Sequence, residues 1–252
     1  LAREVANEGN GLVAGGVCQT PTYLSGLGKT KVQKEFRKQT EVFKANNVDF
    51  MKITYEDKQI VLKTIEDSDE TVHLLTKWRR HYENWFGTTF RISEERTKKW
   101  INNGIIDNPD RSLFMIYVNG KKFGCIGTIR FVEEENSGAL DAMIRDPEIE
   151  HKGLMLLVEK AFLKWMFDGL KLSKITGYLF SDNVRMMDLH KKCGWTKIEK
   201  IPLKKIQTKD GTEWVRMKIE GKTKPERYFD SIKLTRINLL ENMNDVEFQV
   251  LI

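Results

Sequence analysis

The sequence is poor in cysteine, in long apolar runs and in blocks of one charge. Its three cysteines, Cys18, Cys125 and Cys193, are odd in number and form no Cys-x-x-Cys pair. That excludes a disulfide framework or a cysteine-held zinc cluster and fits a reduced, cytoplasmic setting. No stretch approaches the run of about 18 apolar residues that a membrane-spanning helix needs. The first thirty residues also lack a basic start followed by an apolar segment, so neither a membrane span nor a secretory signal is expected. The 42 basic residues are answered by 36 acidic ones, leaving a net charge of +6 without any long basic block. The densest stretches, KKIQTK and GKTKPER, read as solvated surface rather than a nucleic-acid face. A mild positive balance does favour an anionic cofactor or a nucleotide-linked substrate.

What is present is an alternation of strand-like and helix-like segments over 252 residues, enough for one large or two small domains. Gln59 to Thr64 reads as a strand, and Asp67-Ser68-Asp69-Glu70 supplies cap residues for a helix to about Arg80. Ser93 caps a second helix. Ser112 to Val118 and Lys122 to Val132 flank Asn119-Gly120, a strong hairpin signal. Asn136-Ser137-Gly138 turns into a strand from Ala139 to Arg145. Leu154, Leu157, Val158, Ala161, Phe162 and Trp165 recur at helical spacing, giving the helix from about Leu154 to Phe167 one face to bury. SKITGYLF is the next strand, and Asn183 opens a short helix that closes at Gly194. Thr196 to Pro202 and Thr212 to Ile219 are two further strands, joined at Lys209-Asp210-Gly211.

The turn before the helix at Leu154 is the first candidate site. A loop between a strand and a helix aims several backbone N–H groups at one point, and the helix dipole adds about half a positive charge there, which suits a pyrophosphate. Gly153 permits close backbone approach, and His151 and Lys152 can add charge-assisted contacts. An ordinary strand-to-helix turn would look the same.

Glu150-His151-Lys152-Gly153-Leu154-Met155 stands in the register of the Gln/Arg-x-x-Gly-x-Gly/Ala loop of GNAT-type N-acetyltransferases, keeping its central glycine. Downstream, Asn183, Met186, Leu189-His190-Lys191-Lys192 and Gly194-Trp195 resemble that family's Asn…Leu-(Tyr/His)-Glu-Lys-x-Gly-Phe block. The resemblance covers about residues 52–219 and implies an α+β GNAT fold, a mixed central sheet with helices on both faces. It implies acetyl-CoA as donor and a primary amine as acceptor, with no metal, no nucleic acid and no membrane partner, and with a homodimer as an option. Glu150 would repel phosphate and Met155 would narrow the backbone's approach, which keeps a catalytically silent CoA-binding module open as a second reading.

The resemblance also assigns roles. The N–H groups of Ala142, Met143 and Ile144, on the strand before the loop, would polarise the thioester carbonyl. Leu154 and Met155 would complete the cofactor loop. His190 stands where many relatives carry the tyrosine that protonates the departing thiolate, although a half-exposed helix histidine fits equally. Asn183 can cap its helix, bond the pantetheine arm, or do both. For a base, Asp141 interrupts an apolar strand and is the choice, with Glu133, Glu134 and Glu135 as solvated alternatives acting through water. His81, Tyr82, Trp85 and Phe86 lie in the region that covers the acceptor pocket in this family. Their surroundings look like the amino-sugar acetyltransferases, so a nucleotide-linked amino sugar is the expected acceptor and a protein N-terminus the next. A hydrophobic cover for the first helix is the competing account of these aromatics.

Residues 1–51 follow a different pattern. The segment from Leu1 to Phe50 resembles an internal piece of betaine–homocysteine S-methyltransferase, a zinc-dependent (β/α) barrel, with Leu12 to Val17 as a barrel strand, Lys31 to Asn46 as its helix and Val48 to Phe50 starting the next strand. One β/α unit cannot close an eight-unit barrel. The zinc-binding cysteines of that enzyme have no counterpart here, so homocysteine methyl transfer is the least expected activity. Met51 reads as a natural beginning, which suggests a fusion. Residues 220–252 are expected to form a C-terminal extension containing a short helix and a terminal strand, with no assigned chemistry.

Overall fold

The structure is a computed structural model that describes residues 47–251, apart from 109, 133–134, 220–222 and 244–246. The expected barrel strand and helix upstream, Cys18, and Glu133 and Glu134 therefore lie outside the described residues. From the start of the described chain come β1 (Asp49–Tyr55), β2 (Lys58–Thr64), α1 (Asp69–His81), β3 (Thr88–Phe90) and α2 (Glu94–Ile101). Next are β4 (Arg111–Val118), β5 (Lys121–Val132), β6 (Ser137–Arg145), α3 (Leu154–Asp168), β7 (Lys174–Phe180) and α4 (Val184–Lys191). The chain ends with β8 (Thr196–Thr208), β9 (Gly211–Arg216), β10 (Arg227–Thr235), α5 (Arg236–Glu241) and β11 (Glu247–Val250). Ser68 and Ser93 cap α1 and α2 by accepting from the N–H groups of Thr71 and Arg96. Asn119 and Gly120 both take positive φ, as a two-residue hairpin of this twist requires.

Among the described residues the strands form one sheet in the order β11-β1-β2-β4-β5-β6-β7-β10-β8-β9-β3. Every neighbouring pair is antiparallel except β6 and β7. β4 shows why both faces are covered. Phe114, Ile116 and Val118 enter one core with α3, while Leu113 and Met115 enter the other with Trp78 of α1 and Trp100 of α2. Strand alternation thus serves two apolar layers at once.

Two expectations about the ends of the fold are corrected. β1 runs through the proposed junction at residue 51, and Phe50 is fully buried, stacked on Phe114 at 4.2 Å. The acetyltransferase-like unit therefore begins before Met51. The segment taken as a C-terminal extension supplies β10, which is inserted between β7 and β8, and β11, which pairs with β1. Phe229, Ile232 and Leu234 of β10 are buried in the sheet's cores, so residues 227–235 are integral to the domain.

Candidate active site

The site begins with a break in the ladder. β6 pairs with β7 only from Ser137 to Ala139, and beyond that the two parallel strands separate. On its other side, the register against β5 passes from Gly127 opposite Asp141 to Cys125 opposite Ile144, so β6 carries one extra residue. Ala142 absorbs it at a φ of 48°, a left-handed conformation uncommon outside glycine, at a bulge that bends the strand. Cys125 holds the bulge by donating its thiol to the Ala142 carbonyl at 3.2 Å.

The opened gap is a cleft lined by Asp141 and Met143 of β6, Gly177 and Tyr178 of β7, and His190 of α4, with Trp195 and Ile232 behind them. Ala142 and Met143 have no pairing partner in either adjacent strand; Met143 lines the cleft, while the Ala142 side chain packs into the core under α1 and α2. Ile144 does not share that position. Its N–H faces the Cys125 sulfur, partly offsetting the burial that pushes that thiol up to about 12. The expected trio of carbonyl-polarising amides is thereby reduced to Ala142 and Met143.

At the end of β6 the chain turns through the expected phosphate loop. Arg145 ties this turn by donating to the carbonyls of Asp146 at 3.2 Å and Ile149 at 2.6 Å, and Asp146 accepts from the Glu148 N–H at 2.8 Å. Gly153 is the N-cap of α3 at a φ of 82°, and a Cβ built there would meet nothing within 4 Å. The N–H groups of Leu156 and Leu157 go to the Gly153 carbonyl, whereas those of Lys152 to Met155 have no acceptor among the described residues. Lys152 is exposed, and His151 is half-buried with its ring 5.6 Å from that of Phe123. Leu154 and Met155 turn their side chains into the core. Met155 therefore does not obstruct the backbone, contrary to the expectation from its size. An open glycine, free amides and a four-turn helix behind them fit a diphosphate. Exposed Glu150 is the residue that opposes one. Replacing it with arginine reverses the charge by two units and should tighten acetyl-CoA binding about threefold to thirtyfold, at roughly 0.3–1 kcal/mol per charge at a helix N-terminus, measured by calorimetric titration. Unchanged affinity would place the diphosphate elsewhere.

α4 brings His190 to the cleft. Asn183 caps the helix, its side-chain oxygen accepting from the Met186 N–H at 3.3 Å. Gly194 closes it at a φ of 90°, where a Cβ would sit 2.3 Å from the Asn238 carbonyl oxygen, so no other residue fits. His190 is buried, and its Nδ1 lies 2.7 Å from Oε1 of Glu159 on α3. The same oxygen accepts from the Trp195 indole N–H at 2.9 Å, and the other oxygen of Glu159 is buried without a partner. Burial, with Glu159 next to it, pushes the Cys193 thiol far up, so this cysteine is inert. Glu159 was missed from sequence because it sits among apolar neighbours. The signal was there in Val158, Glu159 and Phe162, a carboxylate on a helix face that is otherwise buried.

Asp141 is not placed to act as a base. Its side chain is 1% exposed and accepts from the Arg111 Nε at 2.6 Å. A proton moving to it would have to displace a guanidinium that is always charged. The aromatic group also divides. His81 is exposed with its ring 4.7 Å from that of Tyr82, and half-buried Tyr82 lies within the fields of Arg145, Arg185 and Asp146, with burial pushing its hydroxyl up. Phe86 is 2% exposed beneath the buried Arg79 guanidinium, 3.6 Å from its ring. Trp85 packs with Phe180 and Trp214 around Arg227. Phe86 is thus core, Trp85 is tied to the Arg227 cluster, Tyr82 packs against the core that holds Trp78 and Phe86, and His81 is exposed; none of the four lines the cleft.

The model of the acetyltransferase (GNAT) domain matches residues 59–196, more than half of the chain. The chain belongs to the GNAT acetyltransferase family. It is an acetyl-CoA-dependent N-acetyltransferase. The GNAT fold recurs in the spermidine N-acetyltransferase of Vibrio cholerae solved with CoA and spermine, at 16% identity and a TM-score of 0.56, covering 72% of this chain and 98% of that one. A dodecameric structure of the Vibrio cholerae enzyme matches at 13% identity and a TM-score of 0.54, covering 73% and 98%. At such identities the likeness is one of fold. A short stretch is 58% identical over 55 residues to betaine–homocysteine S-methyltransferase 1 of Sus scrofa, and another match is 47% identical over 75 residues to that of Danio rerio. The GNAT chain spans 20% and 17% of the length of these two curated relatives. Among the described residues no group of three histidines, cysteines or acids could hold a metal ion, and no helix is long and apolar enough to cross a membrane.

Proposed function

We propose that this enzyme acetylates the primary amine of a small anionic acceptor, with a nucleotide-linked amino sugar as the best candidate. The observation that carries this reading is the charge around Tyr82, where Arg145 from β6 and Arg185 from α4 outnumber the single carboxylate of Asp146. A net positive field there attracts the phosphates of an activated sugar and repels a polycation. Tyr82 offers a ring for the sugar or base to rest upon.

Acetyl-CoA supplies an activated acyl group on a thiol that can leave. Lys152, Gly153 and the first turn of α3 hold its diphosphate, with His151 beside them, and Asn183 lies at the entry of α4. The amides of Ala142 and Met143 stabilise negative charge on the carbonyl oxygen. His190 holds the proton that the departing sulfur needs. Asp141, paired with Arg111, shapes the cleft wall.

Polyamine acetylation is the second reading, favoured by the fold likeness to the spermidine enzymes. The test is release of CoA thiol from acetyl-CoA by the full-length protein, offered a nucleotide-linked amino sugar, spermidine or an N-terminal peptide. Turnover with the sugar nucleotide at least tenfold above spermidine is expected. A preference for spermidine, or for the peptide, would overturn the acceptor assignment. Tight acetyl-CoA binding with no turnover on any amine would instead make the domain a silent binding module. The head, residues 1–51, we read as a methyltransferase-derived segment without its own catalysis, and a homodimer as the assembly.

A further inference from the structure

With Asp141 engaged by Arg111, the cleft still needs a group that can take a proton from the attacking amine. His190 is the titratable cleft residue whose partner leaves a nitrogen over. The indole of Trp195 can only donate, so with Glu159 ionised its Oε1 accepts twice, and His190 Nδ1, 2.7 Å from that same atom, carries its hydrogen toward it. The tautomer is thereby fixed. Neutral His190 has its lone pair on Nε2, the nitrogen with no partner among the described residues, and His190 lines the cleft.

Glu159 is fully buried beside Val158 and one turn before Phe162 and Leu163. Its Oε1 satisfies the Trp195 indole N–H, a task a neutral amide would also perform, while its Oε2 has no hydrogen bond and only the weak thiol donor of Cys193 nearby. Accepting from an indole therefore does not by itself call for a full negative charge. What the carboxylate adds is a negative charge behind an imidazole, stabilising its cationic form during reaction, together with a hydrogen bond that prevents the ring from flipping.

We propose that Glu159 is a positioning residue that holds His190 with Nε2 toward the cleft, so that this one imidazole first accepts the amine's proton and then delivers it to sulfur. The nitrogen lone pair of the amine forms the new N–C bond, and the C–S bond breaks with its electron pair left on sulfur. His190 Nε2 receives the proton that the nitrogen loses and passes it to that sulfur, so the imidazole ends as it began. No other proton donor or oxidant is required. The inference rests on the acetyltransfer reading above and deepens it at the same site.

The groups that face the imidazole are Glu159 from α3, Asp141 with its Arg111 counter-ion from β6 and β4, Tyr178 from β7, and Cys193 and Trp195 after α4. Nitrogen-15 NMR of the full-length protein, without cofactor, reads the tautomer directly. The His190 signal, assigned among the four histidines by its loss in His190→Gln, should show hydrogen on Nδ1. In Glu159→Gln the neutral ring should divide between both tautomers, because the amide can present either its oxygen or its N–H to Nδ1. Turnover of Glu159→Gln should fall about tenfold to a hundredfold with KM for acetyl-CoA unchanged. In a His190→Gln background the same change should have no further effect.

Hydrogen on Nε2 in the neutral wild-type ring would overturn the inference whether or not any amine is acetylated, and does not depend on a variant that must fold. Full turnover with the Nδ1 tautomer retained in a folded Glu159→Gln protein would also overturn it while leaving acetyl transfer intact. An equal loss in both backgrounds would reduce Glu159 to a structural residue. Absence of acetyl transfer by the wild-type protein, with the Nδ1 tautomer present, would strike the acceptor or enzyme reading and leave the dyad's geometry supported.

Discussion

Arg111→Met is expected to destabilise the protein by about 3–5 kcal/mol, because it leaves a buried carboxylate without its counter-charge. The side chains of Arg111 and Asp141 are 5% and 1% exposed, and the 2.6 Å contact between them joins the first residue of β4 to the bulge of β6 across β5. The guanidinium also lies 5.1 Å from the Trp100 ring, so methionine keeps part of the packing and removes the charge. The informative comparison is the double variant Arg111→Met with Asp141→Asn. Removing both charges should restore most of the loss, since an isolated ion is far more costly to bury than a neutral amide. Chemical denaturation of full-length proteins with acetyl-CoA absent would measure both. A single variant within about 1 kcal/mol of wild type would mean that water reaches Asp141, and would reopen its candidacy as a base.

Phe50→Ala should cost a comparable amount, about 3–5 kcal/mol for a large aromatic removed from a packed core. Phe50 is stacked on Phe114 at 4.2 Å and meets Trp165 edge-on at 4.8 Å, bridging β1, β4 and α3. The result bears on the architecture as well as the energetics. Phe50 lies within the stretch whose sequence resembles the methyltransferase, yet the acetyltransferase core is built around it. If the variant denatures at the same concentration of urea as the wild type, β1 is dispensable and the domain does begin at about residue 51.

The elements legible in the sequence were those with local causes. Ser68 and Ser93 cap their helices, Asn119-Gly120 makes the hairpin, and the apolar stripe of α3 predicts its span to within a residue. β10 was not legible. RYFDSIKLT carries charged and apolar residues at both parities, and what makes it a central strand is the pair of open edges that β7 and β8 offer from far away in sequence. The site divides in the same way. Gly153, Asn183 and His190 could be named from the sequence because each stands in a linear pattern. Arg111 and Glu159 escaped because their meaning comes only from contacts with Asp141 and His190 across the fold. Phe86 was misassigned because a composition rich in aromatics does not reveal which ring faces inward.

The placement of β10 also has a consequence for synthesis. A ribosome makes β6, β7, α4, β8 and β9 before it makes the strand that must lie between β7 and β8. Until residue 235 has left the exit tunnel, both of those strands present bare backbone toward a slot that nothing occupies, the condition under which chains pair with the wrong neighbour. The nascent protein therefore depends on whatever shields that slot until β10 emerges, and the acetyl-transfer cleft, whose lining includes Ile232, comes into being only when the slot is filled.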